Sequence, residues 1–440
     1  MISKHYSPDS LRQLLYKSID NVCDNISSYC DLPGVDFTRK RLLPARTMID
    51  LLIQYESKAI NSELADYFVN SSHLPSSSAF CQQREKLYPE ALYRVFRLFT
   101  DHIENHKTYK GYYLLACDGS DINIPFNPDD KSTLHNQKGY KNGGYNQLHL
   151  NALYDVMNHV YQDVMISTHA KPQECRNLID MIHLHNYPQK SIITSDRGYE
   201  SYNLLAHFKE AGQPFVVRAK DVKSRTGILS KLKFSDEEFD TDIVRKITRK
   251  QTTETKNNKD YVTLVNSSGP FDFLESYDHS SYELSLRVVR FPITDSTYEC
   301  LITNLSREEF TVDDLKEIYH LRWGIENSFR ELKYTIGMLN FHSRKRKHIC
   351  QEIYARIILY NFSQSILNNT DISSKEENIY QYRFAFTSSV TLIRQYLRNM
   401  LDDDTLLIRI KKFLIPIRPG RSFKRNVRPQ STKTLTYKAA

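Results

Sequence analysis

The chain contains no long hydrophobic run: nothing in it approaches the roughly 18 consecutive apolar residues that a membrane-spanning helix needs. Its first residues, Met-Ile-Ser-Lys-His-Tyr, also lack the apolar core of a signal peptide. These two absences predict a protein that has no membrane partner and stays in the cytoplasm.

Paired-cysteine motifs are missing as well. The seven cysteines are odd in number and widely spaced, and no Cys-x-x-Cys occurs. This distribution argues against both a disulfide framework and a zinc ribbon. Most of the cysteines are therefore expected to be small, buried apolar residues.

Acidic residues are absent from residues 409–440, although this segment holds ten Lys or Arg residues. The remainder of the chain holds 50 basic and 52 acidic residues, so the net charge of +8 arises in this tail. Phosphate binding depends on local positive fields more than on total charge. The Pro, Gly and unpaired charges of the tail predict a basic extended arm rather than a packed helix.

The 440 residues, 40% hydrophobic and 25% charged, are enough for two or more globular domains. Residues 1–110 carry helical patterns, and the turn at residues 70–75 fits a helix-turn-helix, which would place its second helix in a DNA major groove. The side chains that would face DNA are Gln82, Gln83, Arg84 and Lys86. The alternative, which is slightly favoured, is a plain helical bundle that binds nothing.

From residue 111 the pattern changes to short strands and helices. Their order, three strands followed by helix, strand, helix and strand, is typical of a ribonuclease-H-like α/β fold. Residues 222–297 alternate in a way that predicts a β-rich insertion, after which the chain returns to the core sheet. The predicted core therefore occupies residues 111–221 and 298–348, and residues 349–440 supply C-terminal helices and the basic tail.

Two of the predicted strands lead directly into aspartate. One, at residues 112–117, precedes Asp118, and the other, at residues 191–195, precedes Asp196. A buried strand that delivers a carboxylate at its carboxyl end is a common way to build a site in an α/β sheet. Taken alone, either Asp could instead be a helix N-cap or a turn residue.

A long helical pattern follows Thr311, where Asp314 completes a capping-box spacing. Its apolar stripe consists of Leu315, Ile318, Ile325, Phe329, Leu332 and Ile336. Beside the stripe, one flank presents Tyr319, Arg322, Glu326 and Lys333. Taken alone, the pattern also fits a surface helix with charge pairs four residues apart.

Two aspartates and one helical glutamate can converge on hard divalent cations, which prefer oxygen ligands. Two such cations about 4 Å apart activate water and stabilise the leaving oxygen in phosphodiester cleavage. We therefore predict that Asp118, Asp196 and Glu326 are catalytic metal ligands for two Mg²⁺ ions, for which Mn²⁺ would substitute. Arg322 and Lys333 are then predicted to hold phosphate, together with Tyr319.

Trp323, the only tryptophan, lies at the rim of the same helix face. It either stacks on a displaced base or simply packs, and the sequence favours neither.

These residues resemble the motifs of the insertion sequence four family of DDE transposases. The helical spacing resembles the signature of that family at Tyr319, Arg322, Glu326 and Lys333. Residues 118–120, Asp-Gly-Ser, and residues 196–199, Asp-Arg-Gly-Tyr, resemble its two aspartate motifs. The likeness covers residues 75–345.

The resemblance implies a DNA transposase that cuts and joins the ends of an insertion sequence, with a hairpin intermediate, an N-terminal region that binds DNA ends and a β insertion before the glutamate. The implied partners are double-stranded DNA with terminal inverted repeats, target DNA and a second copy of the chain in a synaptic complex. Such a protein would associate with the nucleoid. The alternative is a non-transposing DNA-binding protein or domesticated nuclease relative, but the presence of all three carboxylates favours the enzyme.

Overall fold

The computed structural model describes residues 5–39, 41–104, 106–136, 143–168, 173–185, 187, 190–230, 232–264, 270–275, 277, 280–294, 297–372 and 380–418. Within these residues the chain begins with five helices: α1 Pro8–Asp24, α2 Ala45–Gln54, α3 Ile60–Tyr67, α4 Ser77–Glu85 and α5 Pro89–Asp101. Helix α1 starts where its sequence indicates, because Ser7 accepts a hydrogen bond from the Ser10 N–H and Pro8 occupies the first turn.

The predicted DNA-facing role of Arg84 on α4 is wrong. Its side chain is only 1% exposed and pairs with Glu352 at 3.0 Å. It also donates to Gln351 Oε1 and to the main-chain oxygen of His348. Its main ionic partner lies 268 residues further along the chain, so no local pattern could reveal the burial.

A large mixed sheet forms the centre of the fold. Its first six strands are β1 Tyr113–Ile124, β2 Leu134–Asn136, β3 Gly144–Asp155, β4 Val160–Thr168, β5 Ser191–Ser195 and β6 Phe215–Ala219, with α6 Glu174–Leu184 before β5 and α7 Tyr202–Glu210 before β6. Strand β3 lies antiparallel to β1 on one side and to β2 and β4 on the other. Strands β1, β5 and β6 are parallel neighbours.

Strand β1 corrects one expectation. The sequence predicted a strand that ends at residue 117, but β1 continues to Ile124, because its antiparallel register with β3 runs from Leu115–Asp155 to Ile124–Asn146. Asp118 therefore lies within a strand rather than at its end. Pairing with a distant strand overrides the local turn signal of Asp-Gly.

The strands that follow β6 extend the same sheet. They are β7 Phe239–Thr248, β8 Tyr261–Thr263, β9 Ser281–Thr294 and β10 Thr297–Thr303, with the short helix α8 Thr253–Asn257 between β7 and β8. Strand β10 pairs antiparallel with β6, and the order continues through β9 and β7 to β8. The β-rich stretch predicted at residues 222–297 thus adds to the edge of the central sheet.

The two faces of the sheet bury different cores. Alternate residues of β1 point to opposite faces, so Leu114 and Ala116 join the core that includes the N-terminal helices, whereas Leu115 and Cys117 join the core beneath α6 and α7. Asp118 lies two residues after Ala116 and is therefore on the same face of the sheet as Ala116. The first face also receives α9 Val312–Leu321 and α10 Gly324–Arg330.

The C-terminal part begins with α11 Arg346–Asn368, which is buried along most of its length between α2, α5 and β4. The remaining elements are β11 Tyr382–Phe384, α12 Phe386–Leu397, α13 Asp403–Ile410 and β12 Leu414–Pro416. No described helix combines the length and apolar character of a bilayer span.

The expected extended arm is wrong for its first residues. Ile410 is fully buried at the end of α13, and β12 pairs antiparallel with β11. Residues 419–440, which carry six of the ten basic residues of the predicted tail, lie outside the described residues.

Candidate active site

Strand pairing brings the two predicted aspartates together. The parallel pairing of β1 and β5 ends at Cys117 and Ser195, so Asp118 and Asp196 are the next residues on neighbouring strands. One carboxylate oxygen of each is held by the chain that follows: Asp118 Oδ1 accepts from the Gly119 N–H and Asp196 Oδ1 from the Gly198 N–H, both at 2.8 Å. Both side chains are half-buried.

The predicted catalytic helix exists but is interrupted. The capping box is confirmed, since the Asp314 N–H donates to Thr311 Oγ1 at 3.2 Å and the Thr311 N–H donates to Asp314 Oδ2 at 2.8 Å. The helix then breaks between α9 and α10 at residues 322–323. A methyl group on Gly324 would lie 3.5 Å from Val156, so α10 approaches β3 closely at this point. Residues 331–335 then form one π-helical turn, a feature that often marks functional sites.

Arg322 links the first and third predicted carboxylates. Its guanidinium lies with Nη1 3.6 Å from Asp118 Oδ2 and Nη2 3.3 Å from Glu326 Oε1. The side chain is 4% exposed. Burial acts to lower the pKa of Arg322, but Tyr319, Asp118 and Glu326 outweigh it, and the pKa is raised.

The three carboxylates also influence one another electrostatically. Burial raises the pKa of Asp118 to about 6, and the negative charges of Asp196 and Glu326 add to the rise. The Gly119 N–H and Arg322 oppose it. Perturbed carboxylates of this kind are common in catalytic sites, where a cation or a proton relieves the repulsion.

Two buried donors in the site lack a hydrogen bond of good geometry within the described residues: the Tyr319 hydroxyl and Arg322 Nε. Tyr319 is 4% exposed, and burial raises the pKa of its hydroxyl while Arg322 and Arg218 lower it. Unsatisfied buried donors are rare in folded proteins. Their proximity to the carboxylates leaves them suited to an anionic oxygen.

Lys333 and Trp323 take different positions from the other predicted site residues. Lys333 lies in the π-helical turn and donates to the main-chain oxygen of Asp121 at 2.8 Å. Burial lowers the pKa of Lys333. The Trp323 side chain is 51% exposed, and its ring lies 5.8 Å from the Arg322 guanidinium. Trp323 therefore stands at the rim of the site, not in the core.

A cavity of about 640 Å³ is lined by side chains of both charges, among them Arg197, Arg218, Lys220, Asp221 and Glu299. Sequence reasoning missed Arg218, because it stands within β6 and its ionic partner Glu299, at 2.9 Å, lies on β10. Arg197 was also missed, although its position directly after the predicted metal ligand Asp196 is a sequence signal that could have placed it in the site.

Within the described residues, no three His, Cys, Asp or Glu side chains already stand in a metal-ligating arrangement. Arg322 occupies the space between Asp118 and Glu326 instead. Asp118 and Glu326 thus both lie beside the Arg322 guanidinium. Asp118 and Asp196 follow paired residues of the neighbouring strands β1 and β5.

Comparisons with known proteins identify the family of the chain. A family model described as the transposase DDE domain matches residues 109–362, which include all three carboxylates. Transposase InsG for insertion sequence element IS4, from Escherichia coli (strain K12), is 23% identical over 368 residues, covering 80% of this chain and 76% of InsG. Among solved structures, a piggyBac transposase synaptic complex with hairpin DNA matches 95% of this chain and 87% of its own, with 12% identity and a TM-score of 0.43.

Proposed function

The chain belongs to the DDE transposases and is a DNA transposase, and from this premise we propose which of its residues perform the reaction. Asp118, Asp196 and Glu326 hold two divalent cations, Mg²⁺ or in its place Mn²⁺. With them the enzyme hydrolyses a phosphodiester at the end of an insertion sequence and joins the freed end to target DNA. The observation that carries the proposal is the single guanidinium of Arg322 between Asp118 and Glu326.

The carboxylates fit a cation for an electrostatic reason. Three negative groups share the site with one arginine, and their mutual repulsion contributes to the raised pKa of Asp118. Bound divalent cations would supply an activated water and would stabilise the leaving oxygen.

The remaining residues of the site bind and orient DNA. The Tyr319 hydroxyl and Arg322 Nε, which are buried without good hydrogen bonds in the described part of the chain, donate to a phosphate oxygen. Lys333 adds a positive charge at the edge of the same site. Trp323, exposed at the rim, stacks on a displaced base.

The rest of the chain supplies the DNA-binding surroundings. We propose that the core is ribonuclease-H-like, since β3 and β4 run antiparallel beside the parallel strands β1, β5 and β6. The helices of residues 1–110 bind element ends with terminal inverted repeats, and the basic C-terminal segment contacts phosphates non-specifically. Two copies of the chain hold the two ends in a synaptic complex, where a hairpin end forms before joining.

The metal requirement and the aspartates are tested together. Purified protein is expected to nick linear DNA carrying the element's own ends in Mg²⁺ or Mn²⁺, and not in EDTA. Asp118→Asn and Asp196→Asn should each lose cleavage yet retain end binding in a gel shift. Asp180→Asn, which alters an ion pair with Arg176 on α6, is the matched control and should cleave normally. Full cleavage in EDTA would refute the metal mechanism.

A further inference from the structure

Behind the two aspartates, on the opposite face of the sheet, one carboxylate touches both of their motifs. A methyl group built on Gly119, which follows Asp118, would overlap Glu174 Oε1 and His149 Nε2. A methyl group built on Gly198 would lie 3.6 Å from Glu174 Oε2 and 3.0 Å from Asp196 Oδ1. Glu174, the first residue of α6, thus bridges the chain segments that carry the two aspartates.

His149 forms an ionic contact with this carboxylate. The imidazole lies on β3 and is 3% exposed; its Nδ1 is 2.8 Å from Asp121 Oδ1 and its Nε2 is 3.2 Å from Glu174 Oε1. Asp121 belongs to β1, three residues after Asp118. The imidazole therefore connects β1 with the start of α6, directly over Gly119.

A second connection runs through Asn151, which is fully buried and pairs with Gly119 across the strands. Its Nδ2 donates to the main-chain oxygen of Glu174 at 3.4 Å, and its Oδ1 accepts from the Tyr199 hydroxyl at 2.7 Å. Tyr199 is fully buried and lies three residues after Asp196. Asn151 thus ties the second aspartate motif to the first through the middle of the sheet.

The pairing of β1 with β5 ends one residue before the aspartates, so backbone hydrogen bonds of this ladder do not reach them. We propose that His149, Asn151, Glu174 and Tyr199 form a positioning framework, which fixes the separation of Asp118 and Asp196 and thereby the affinity of the site for divalent cations. The proposal rests on the metal-binding role proposed above. Residues that orient metal ligands without touching the metal commonly increase metal affinity about ten- to a hundredfold.

The framework is tested by titrating the full chain with Mn²⁺ in the absence of DNA. Electron paramagnetic resonance measures the concentration of free Mn²⁺ and so gives the dissociation constant. Tyr199→Phe keeps the buried ring and removes one hydroxyl, and Glu174→Gln keeps the shape and removes the charge. Both should raise the Mn²⁺ dissociation constant about tenfold. Tyr396→Phe is the matched control, because Tyr396 is equally buried and donates to Asp403 at the same distance, 2.7 Å, among the C-terminal helices; it should leave the constant unchanged.

Cleavage gives a second readout. DNA nicking by Tyr199→Phe should be weak at limiting Mn²⁺ and should recover as the Mn²⁺ concentration rises, which a general loss of folding would not allow. Circular dichroism verifies folding, and Tyr199→Phe decides the matter if Glu174→Gln does not fold. Wild-type Mn²⁺ affinity in Tyr199→Phe would overturn the framework while leaving the metal site intact. If the wild type itself binds no Mn²⁺ and does not differ from Asp118→Asn, the proposed metal site fails, and this inference with it.

Discussion

Two arginine–carboxylate clusters in this protein have the same chemistry and opposite electrostatic outcomes. In the buried cluster, Glu352 pairs with Arg84 at 3.0 Å and with Arg356 at 3.1 Å, and its side chain is 0% exposed. Burial acts to raise the pKa of Glu352, but Arg84, His342 and Arg356 outweigh it and the pKa is lowered.

In the candidate active site, one arginine faces several carboxylates at longer distances, and the pKa of Asp118 is raised to about 6. Excess positive charge around Glu352 stabilises its ionised form, whereas at Asp118 burial, together with the negative charges of Asp196 and Glu326, disfavours the ionised form. We therefore expect the buried cluster to stabilise the fold and propose that the cluster in the candidate active site is relieved by a bound cation.

The largest effect is expected from breaking the buried cluster. Arg84 is one of the charges that compensate Glu352, and it links α4 to α11. Arg84→Ala removes both contributions. Removing one partner of a buried ion pair costs about 3–5 kcal/mol of unfolding free energy. Urea unfolding at pH 7 measures the loss, with Lys345→Ala, whose exposed ion pair with Glu85 contributes little, as the control. A loss equal to that of Lys345→Ala would contradict the structural role.

A smaller effect should separate the clusters by pH, in metal-free protein. The folded pKa of Asp118, about 6, exceeds the ordinary value of 3.8 for an aspartate, so its contribution to stability is greatest below pH 3.8 and is lost as the pH rises through 6, by up to about 3 kcal/mol. Urea unfolding in EDTA across this window should show a decline in the wild type that is smaller in Asp118→Asn, where Asp155, whose pKa burial also raises to about 6, still contributes. A pH-independent difference between the two proteins would refute the raised pKa.

The buried cluster should respond on the alkaline side. Burial alone would lower the pKa of His342, but the hydrogen bond to Glu352 and the nearby carboxylate of Glu63, 3.7 Å from Nε2, outweigh it and raise the pKa to about 9. The stability that charged His342 contributes is complete below pH 6.5 and is lost as the pH rises through 9, by up to about 3 kcal/mol. His342→Gln should show a smaller alkaline decline in urea unfolding, because His149, whose pKa Asp121 and Glu174 raise to about 9 against the effect of burial, still contributes. An identical decline in both proteins would assign it to other groups.

The smallest effect concerns DNA binding at the candidate active site. Arg322→Ala removes the proposed phosphate donor and should weaken binding of the cleaved end about tenfold, since a charge-assisted hydrogen bond contributes on the order of 1.5 kcal/mol. The control is Lys316→Ala on α9, which removes the same charge from the same helical segment. Lys316 pairs with Asp313 at 2.9 Å, and the variant should bind the cleaved end normally. Equal weakening in both variants in a fluorescence titration would show a non-specific charge effect.

Sequence patterns predicted what is decided locally. The capping box at Thr311 depends on residues three positions apart, and the structure confirms it. The transposase family was predictable from the spacing of motifs, which the match over residues 109–362 confirms. The roles of the individual site residues stay predictions.

Features decided by distant partners were not predictable. The burial of Arg84 depends on Glu352, and the continuity of β1 depends on β3. The framework behind the aspartates was missed for the same reason: Glu174 and His149 meet Gly119 only once α6 lies against the sheet. The main-chain contact of Lys333 arises from a π-helical turn, which the apolar periodicity does not reveal.

The comparison of the two clusters is tested most directly by neutralising one glutamate in each and measuring two quantities on the same preparations: the unfolding free energy in urea and the single-turnover cleavage rate in Mg²⁺. Glu326→Gln should keep its stability within about 1 kcal/mol and lose about a thousandfold or more in cleavage rate. Glu352→Gln should lose about 3–5 kcal/mol of stability, while its folded fraction cleaves at the wild-type rate. If Glu326→Gln instead cuts DNA at a near wild-type rate, Glu326 is not the third carboxylate, and the assignment of residues 319–333 as the catalytic segment is wrong.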